Sequence, residues 1–103
     1  MIRHCVFVKF KTTISRADRD ALYADLARLK SRVHGMLGLI AGQNVNPEGL
    51  GQGFGEGFII DFDDVAARDA YLVHPEHQAI GARIVAATEG GVEGLFVFDF
   101  ALP

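Results

Sequence analysis

The segment Tyr71-Leu72-Val73-His74-Pro75-Glu76-His77 sets a phenol and two imidazoles around a proline. Proline lacks an N–H and disfavours helical geometry in the residue before it, so a helix reaching Tyr71 is interrupted there and a second segment starts at Pro75. In that second segment His77 precedes Ile80 by three residues and Ile84 by seven, which puts it on the inward stripe. Tyr71 follows Ala67 by four and turns inward as well, its hydroxyl seeking a hydrogen bond. An imidazole with an ordinary pKa of about 6.5 suits proton abstraction next to a carbonyl near neutrality. The Tyr71 hydroxyl would then polarise the carbonyl or stabilise the enolate.

Three further residues belong to the same expected pocket. His4 shares its strand face with Val6 and Val8 and so points under the helices, Glu56 lies on the even-numbered face of its strand with Phe54 and Phe58, and His74 is at the elbow itself. Convergence of these groups between helices and sheet would make an apolar cavity with a few polar groups, the usual form of a small-molecule site. The catalytic candidates are therefore His77 and Tyr71, and the pocket candidates His4, Glu56 and His74. An architectural account stands beside this one: His77 staples the elbow, Tyr71 bonds a backbone carbonyl, and His4 is a satisfied core histidine. His74 and His77 have a spacing that can chelate a metal on a helix, but Pro75 distorts the turn and no ligand-rich segment supports it, so no metal is expected.

The elements that must position these groups follow from periodicity. Ile2 to Lys11 reads as a strand, with Ile2, His4, Val6, Val8 and Phe10 on one face and Cys5 and Phe7 on the other. Ser15 and Asp18 resemble a capping box, and Leu22, Leu26, Leu29 and Val33 mark one amphipathic helix that Gly35 stops. Leu37 to Val45 is a second strand, and the Gly- and Pro-containing stretch from Asn46 to Gly53 is a loop. Phe54 to Phe62 is a third strand. Asp63 or Asp64 caps a helix through Tyr71, and the segment from Pro75 carries Ile80, Ile84 and Ala87 inward before Gly90-Gly91. Val92 to Ala101 is the last strand.

The order βαββαβ predicts an α+β, ferredoxin-like domain: a four-stranded antiparallel sheet with both helical regions on one face and the first and third strands central. The other sheet face is left bare, yet the strands alternate Cys5, Phe7, Ile59, Leu95 and Val97 against Val6, Val8, Phe58, Ile60, Phe96 and Phe98, so both faces are apolar. An exposed apolar face of that extent marks an interface, and a second copy would bury it in a symmetric dimer. Asp61 and Asp99 interrupt the odd-numbered positions and are expected to bond across that seam or reach solvent.

Bulk properties narrow the function classes. The chain has 103 residues, half of them apolar and 22% charged, and this fits one globular domain spanning residues 1–103 that needs no cofactor to fold. Ten Lys and Arg against thirteen Asp and Glu give a net charge of −3, with the basic residues scattered, so nucleic acid is not an expected partner. No apolar run approaches the roughly 20 residues that a bilayer requires, and no signal-like segment opens the sequence. Cys5 is the one cysteine and lies in an apolar run, which fits a reducing, cytoplasmic setting. There is no phosphate-binding glycine fingerprint, serine elbow or CxxC pair.

Three segments spread over the chain resemble the stress-responsive dimeric α/β barrel family, Dabb: His4-Cys5-Val6-Phe7-Val8-Lys9-Phe10-Lys11, the Tyr-x-x-His-Pro-x-His elbow from Tyr71 to His77, and Leu95-Phe96-Val97-Phe98-Asp99-Phe100. The resemblance implies a homodimer whose sheets face each other. Most members of the family have no established activity, and one plant member closes a polyketide ring by aldol condensation. In the matching positions His77 is the base, Tyr71 the assisting hydroxyl and His4 a pocket residue. The chain departs from that enzyme on the third strand, where Phe54-Gly55-Glu56 carries a carboxylate in place of a histidine. The resulting expectation is a homodimer that binds a small apolar carbonyl compound and acts as a cofactor-free cyclase or lyase. The alternatives are a cofactor-independent monooxygenase or isomerase, or a binding module without turnover.

Overall fold

The computed structural model describes residues 1–103 and has the order β1 (Ile2–Val8), α1 (Arg16–Ala27), β2 (Met36–Gln43), β3 (Glu56–Phe62), α2 (Val65–Val73), α3 (Pro75–Ala87) and β4 (Leu95–Ala101). The strands form one antiparallel sheet in the order β2-β3-β1-β4, with the helices on one face: the ferredoxin-like arrangement. No helix is long and apolar enough to cross a membrane.

Local chemistry explains the boundaries. Ser15 accepts a hydrogen bond from the Asp18 amide and starts α1, and Asp64 does the same for the Ala67 amide at α2. The helix expected through Val33 tightens instead into a 3-10 turn at Arg28–Ser31, a common way for an α-helix to end, and Leu29 and Val33 remain buried. Gly35 then reverses the chain at φ +85°, and a Cβ there would lie 2.7 Å from that of Ala67, so both conformation and space require glycine.

All four strands are shorter than their apolar runs suggest, β1 ending at Val8 rather than Lys11 and β4 starting at Leu95 rather than Val92. β2 stops at Gln43 and β3 starts at Glu56, because Asn44 turns its carboxamide onto the Phe54 carbonyl and organises the loop between them. Val92 lies in a 3-10 turn, Gly91–Gly94, whose entry through two left-handed glycines sets the phase of β4. That phase reverses the expected faces. Leu95, Val97 and Asp99 pair with Val8, Val6 and His4 on the helix side, and Phe96, Phe98 and Phe100 pair with Phe7, Cys5 and Arg3 on the open side. Residues directly opposite in a ladder share a face, so Asp99 does not belong to the open seam.

The core lies between sheet and helices. Leu22, Leu26, Leu29 and Val33 meet Ala67, Tyr71, Ile80 and Ile84 over Val6, Val8, Phe58, Ile60 and Phe62. Each Val, Leu, Ile or Phe side chain among them contributes about 1.5 to 3 kcal/mol on burial, so this layer holds the helices in register with β1 and β3. The open face keeps Phe7, Ile40, Phe96, Phe98 and Phe100 exposed.

Candidate functional site

Helix α2 delivers Tyr71 to the core with none of its surface exposed. His74 ends α2 and begins α3: its backbone N–H returns to the Tyr71 carbonyl, and its Nδ1 accepts from the Glu76 amide at 3.1 Å. Pro75 takes the first helical position, where its missing N–H costs nothing. The tight elbow stacks His77 on Tyr71, ring centroids 4.2 Å apart and planes inclined by 44°.

The His77 ring is oriented by its backbone. Nδ1 lies 3.1 Å from the Leu72 carbonyl, which can only accept, so Nδ1 carries the proton and Nε2 keeps a free lone pair. Burial lowers the His77 pKa from its usual 6.5, the bond to Leu72 acts the other way, and the nearby His4 and His74 lower it further. At pH 7 the ring is neutral and basic at Nε2. Tyr71 moves in the opposite direction: burial alone raises its pKa, no hydrogen bond contributing, so it stays a protonated donor.

His4 closes the group from the sheet. Its ring is 6.0 Å from Tyr71 and 6.3 Å from Phe62, both edge-on, and Phe62 is 5.2 Å from Tyr71. Its Nδ1 lies 2.7 Å from Asp99 Oδ1, and Arg68 Nη1 donates to Asp99 Oδ2 at 2.7 Å. Burial would raise the Asp99 pKa, but the hydrogen bonds from Arg68 and His4 prevail and hold it below the usual carboxylate value. A hydrogen-bonded chain thus runs from Arg68 on α2 through Asp99 to His4, whose ring lies edge-on to Tyr71.

Of the residues singled out in the sequence, His4, Tyr71 and His77 come together. His74 supports them as a cap with its Nδ1 occupied. Glu56 does not join them. It pairs with Val8, whereas His4 pairs with Ile60, and four residues along a strand is about 13 Å. Glu56 accepts instead from Arg16 at 2.7 Å, Arg19 at 2.8 Å and Tyr23 at 2.8 Å, a buried anchor for α1. Asp61 bonds Arg3 at 2.9 Å on the open face. The sequence reading missed Arg68 and the partner of Asp99. The signal for Arg68 was its position three residues before Tyr71 on one helical face.

A ferredoxin-like α+β domain in which buried His4 and Tyr71 meet a half-buried His77 between sheet and helices is the class that this geometry defines. The sequence profile of the stress-responsive A/B barrel domain, Dabb, matches residues 2–102, and the chain belongs to that family. Olivetolic acid cyclase from Cannabis sativa is 22% identical over 99 residues, covering 96% of this chain and 94% of the cyclase. A dimeric ferredoxin-like protein of unknown function from Jannaschia sp. CCS1 superposes with a TM-score of 0.90 at 30% identity, over 98% of each chain. The hydroxynitrile lyase of Passiflora edulis superposes with a TM-score of 0.84 at 22% identity, over 99% of this chain and 93% of the lyase.

Proposed function

We infer that the protein is a single-domain, cytoplasmic homodimer that binds a small apolar carbonyl compound between helices and sheet and moves a proton on it without a cofactor, as a cyclase or lyase does. The observation that carries this reading is the pair Tyr71 and His77: in one stacked contact, a phenol kept protonated and an imidazole kept neutral, with its basic nitrogen free. Neighbouring groups whose environments push their pKa values apart are suited to acid and base roles on one substrate. His77 Nε2 takes the proton from the carbon next to the carbonyl, and the Tyr71 hydroxyl donates to the oxygen where the enolate charge develops. The enolate carbon then attacks a second carbonyl of the same molecule to close a ring, the alkoxide so formed takes the proton back from His77 Nε2, and the same steps in reverse cleave such a bond. His4, held by Asp99, supplies the third polar wall. Relatives named as a cyclase and a hydroxynitrile lyase support a cyclase- or lyase-like assignment, and the exposed apolar sheet face together with a dimeric relative supports the homodimer.

Exchange of the acidic C–H of benzoylacetone in D2O, followed by NMR, tests the reading. The native protein should accelerate exchange, and His77→Gln should remove about a hundredfold or more of that acceleration. A folded protein that binds the diketone without accelerating exchange is a binding module. Oxygen uptake with a quinol in place of proton exchange would mark a monooxygenase.

A further inference from the structure

The two histidines of the site are held by partners of different kinds. His77 takes its tautomer from the Leu72 carbonyl, a backbone group that neither titrates nor turns independently of its helix. His4 takes its own from Asp99, a side chain that can do both. Asp99 stands on β4, an edge strand bonded to β1 alone, and 22% of its side chain is exposed. A carboxylate at such a margin has room to swing toward water, so the orientation of His4 depends on whatever fixes Asp99.

Arg68 does this from the helix layer. It lies three residues before Tyr71 on α2, with only 23% of its side chain exposed. Its Nη1 donates to Asp99 Oδ2 at 2.7 Å, while His4 Nδ1 lies 2.7 Å from Oδ1. Each oxygen is committed to a different partner, and the carboxylate cannot rotate without breaking one of the two bonds. Arg68 Nε donates to Asp69 Oδ1 at 2.9 Å, which fixes the plane of the guanidinium on the helix itself. Burial would raise the Asp99 pKa, and the bond from Arg68 is the first of the opposing causes, so Asp99 stays a carboxylate that can only accept. The donor of the short contact is then His4 Nδ1, and a neutral ring bonded in this way keeps its lone pair on Nε2.

We propose that Arg68 is a positioning residue of the site: by clamping Asp99 from α2 it holds the His4 ring in the tautomer protonated at Nδ1 and bare at Nε2. Its effect on rate rests on the proton-transfer reading, whereas the clamp itself can be observed without any activity. Arginine suits the task because separate N–H groups in one plane reach Asp69 and Asp99 together, where the ammonium of lysine is a single point charge. The same bridge joins the helix that carries Tyr71 to the strand paired with the one that carries His4.

Nitrogen NMR of the full-length protein, isotopically labelled at histidine and held in mildly alkaline solution, tests the clamp. Native His4 should be one tautomer, protonated at Nδ1, and Arg68→Gln should turn it into a mixture of both. In the benzoylacetone exchange assay Arg68→Gln should lower kcat about tenfold with little change in KM, the effect of a loosely held group beside the substrate. Arg68→Lys should recover part of that loss. Asp99→Asn alone and Asp99→Asn with Arg68→Gln should be equally slow, because Arg68 acts through Asp99. Arg83→Gln removes a comparable ion pair, 2.8 Å to Asp25, and should move neither tautomer nor rate. A His4 tautomer unchanged in folded Arg68→Gln, or rate losses from Arg68→Gln and Asp99→Asn that add, would overturn the proposal. A native protein that does not accelerate exchange, with the tautomer still shifted in Arg68→Gln, would overturn the proton-transfer reading and uphold the clamp.

Discussion

His4 Nδ1 stands 2.7 Å from Asp99 Oδ1, a contact between the first and last strands that ties the two ends of the chain together under helix α2. Arg68 completes it from the helix. Asp99→Asn removes the charge that both neighbours address and should lower stability by about 1 to 3 kcal/mol in urea unfolding. It should also lower proton-exchange activity, because the His4 ring loses the group that orients it.

Tyr71→Phe should separate structure from chemistry. The hydroxyl contributes no hydrogen bond to the fold, so its removal should leave stability unchanged or raise it by up to about 1 kcal/mol. Activity of the proposed kind should nevertheless collapse. A marked loss of stability would show that the hydroxyl serves the core.

His77 should titrate below 6.5 in an NMR pH series. Since its folded value lies under its unfolded one, the unfolded chain binds more protons between the two, and stability falls as pH drops from 6.5 through the folded value. The acid limb of the rate profile should lie in the same window, and His77→Gln should abolish that limb and the matching part of the stability loss.

Glu56 governs a different acid response. Burial pushes its carboxyl up, but Arg16, Tyr23 and Arg19 together hold it below the usual 4.5, so its contribution is present above that pH and lost as pH falls through the folded value. Glu56→Gln should cost about 2 to 4 kcal/mol at pH 7, measured by chemical denaturation, with the deficit shrinking below pH 4. Proton-exchange activity per folded molecule should change little.

Phe98 lies on the open face beside Cys5 and is half exposed. Phe98→Asp places a charge at the centre of the proposed dimer interface while leaving the helix-side core intact. Sedimentation should show a monomer that retains its far-UV circular dichroism.

The sequence made the elbow legible because proline, caps and inward spacing all act within a few residues. Tyr71, His74 and His77 needed no long-range information to be placed. The phase of β4 was another matter. Leu95-Phe96-Val97-Phe98 is apolar at every position, so alternation carried no information there, and the two left-handed glycines before the strand decided which residues turned inward. Asp99 was therefore noticed but assigned to the wrong side. Glu56 was placed on the correct face, and periodicity cannot say how far along a face two residues stand. Only the ladder register puts it beside Arg16 rather than His4.

The shared cap at His74 has a mechanical meaning. One residue closes α2 and opens α3, leaving no spare link between the helix that carries Tyr71 and the helix that carries His77. The two rings meet as parts joined by a single rivet, and their contact is fixed by the backbone alone. For the proposed proton transfer, groups joined in this way need no closing stroke to come together.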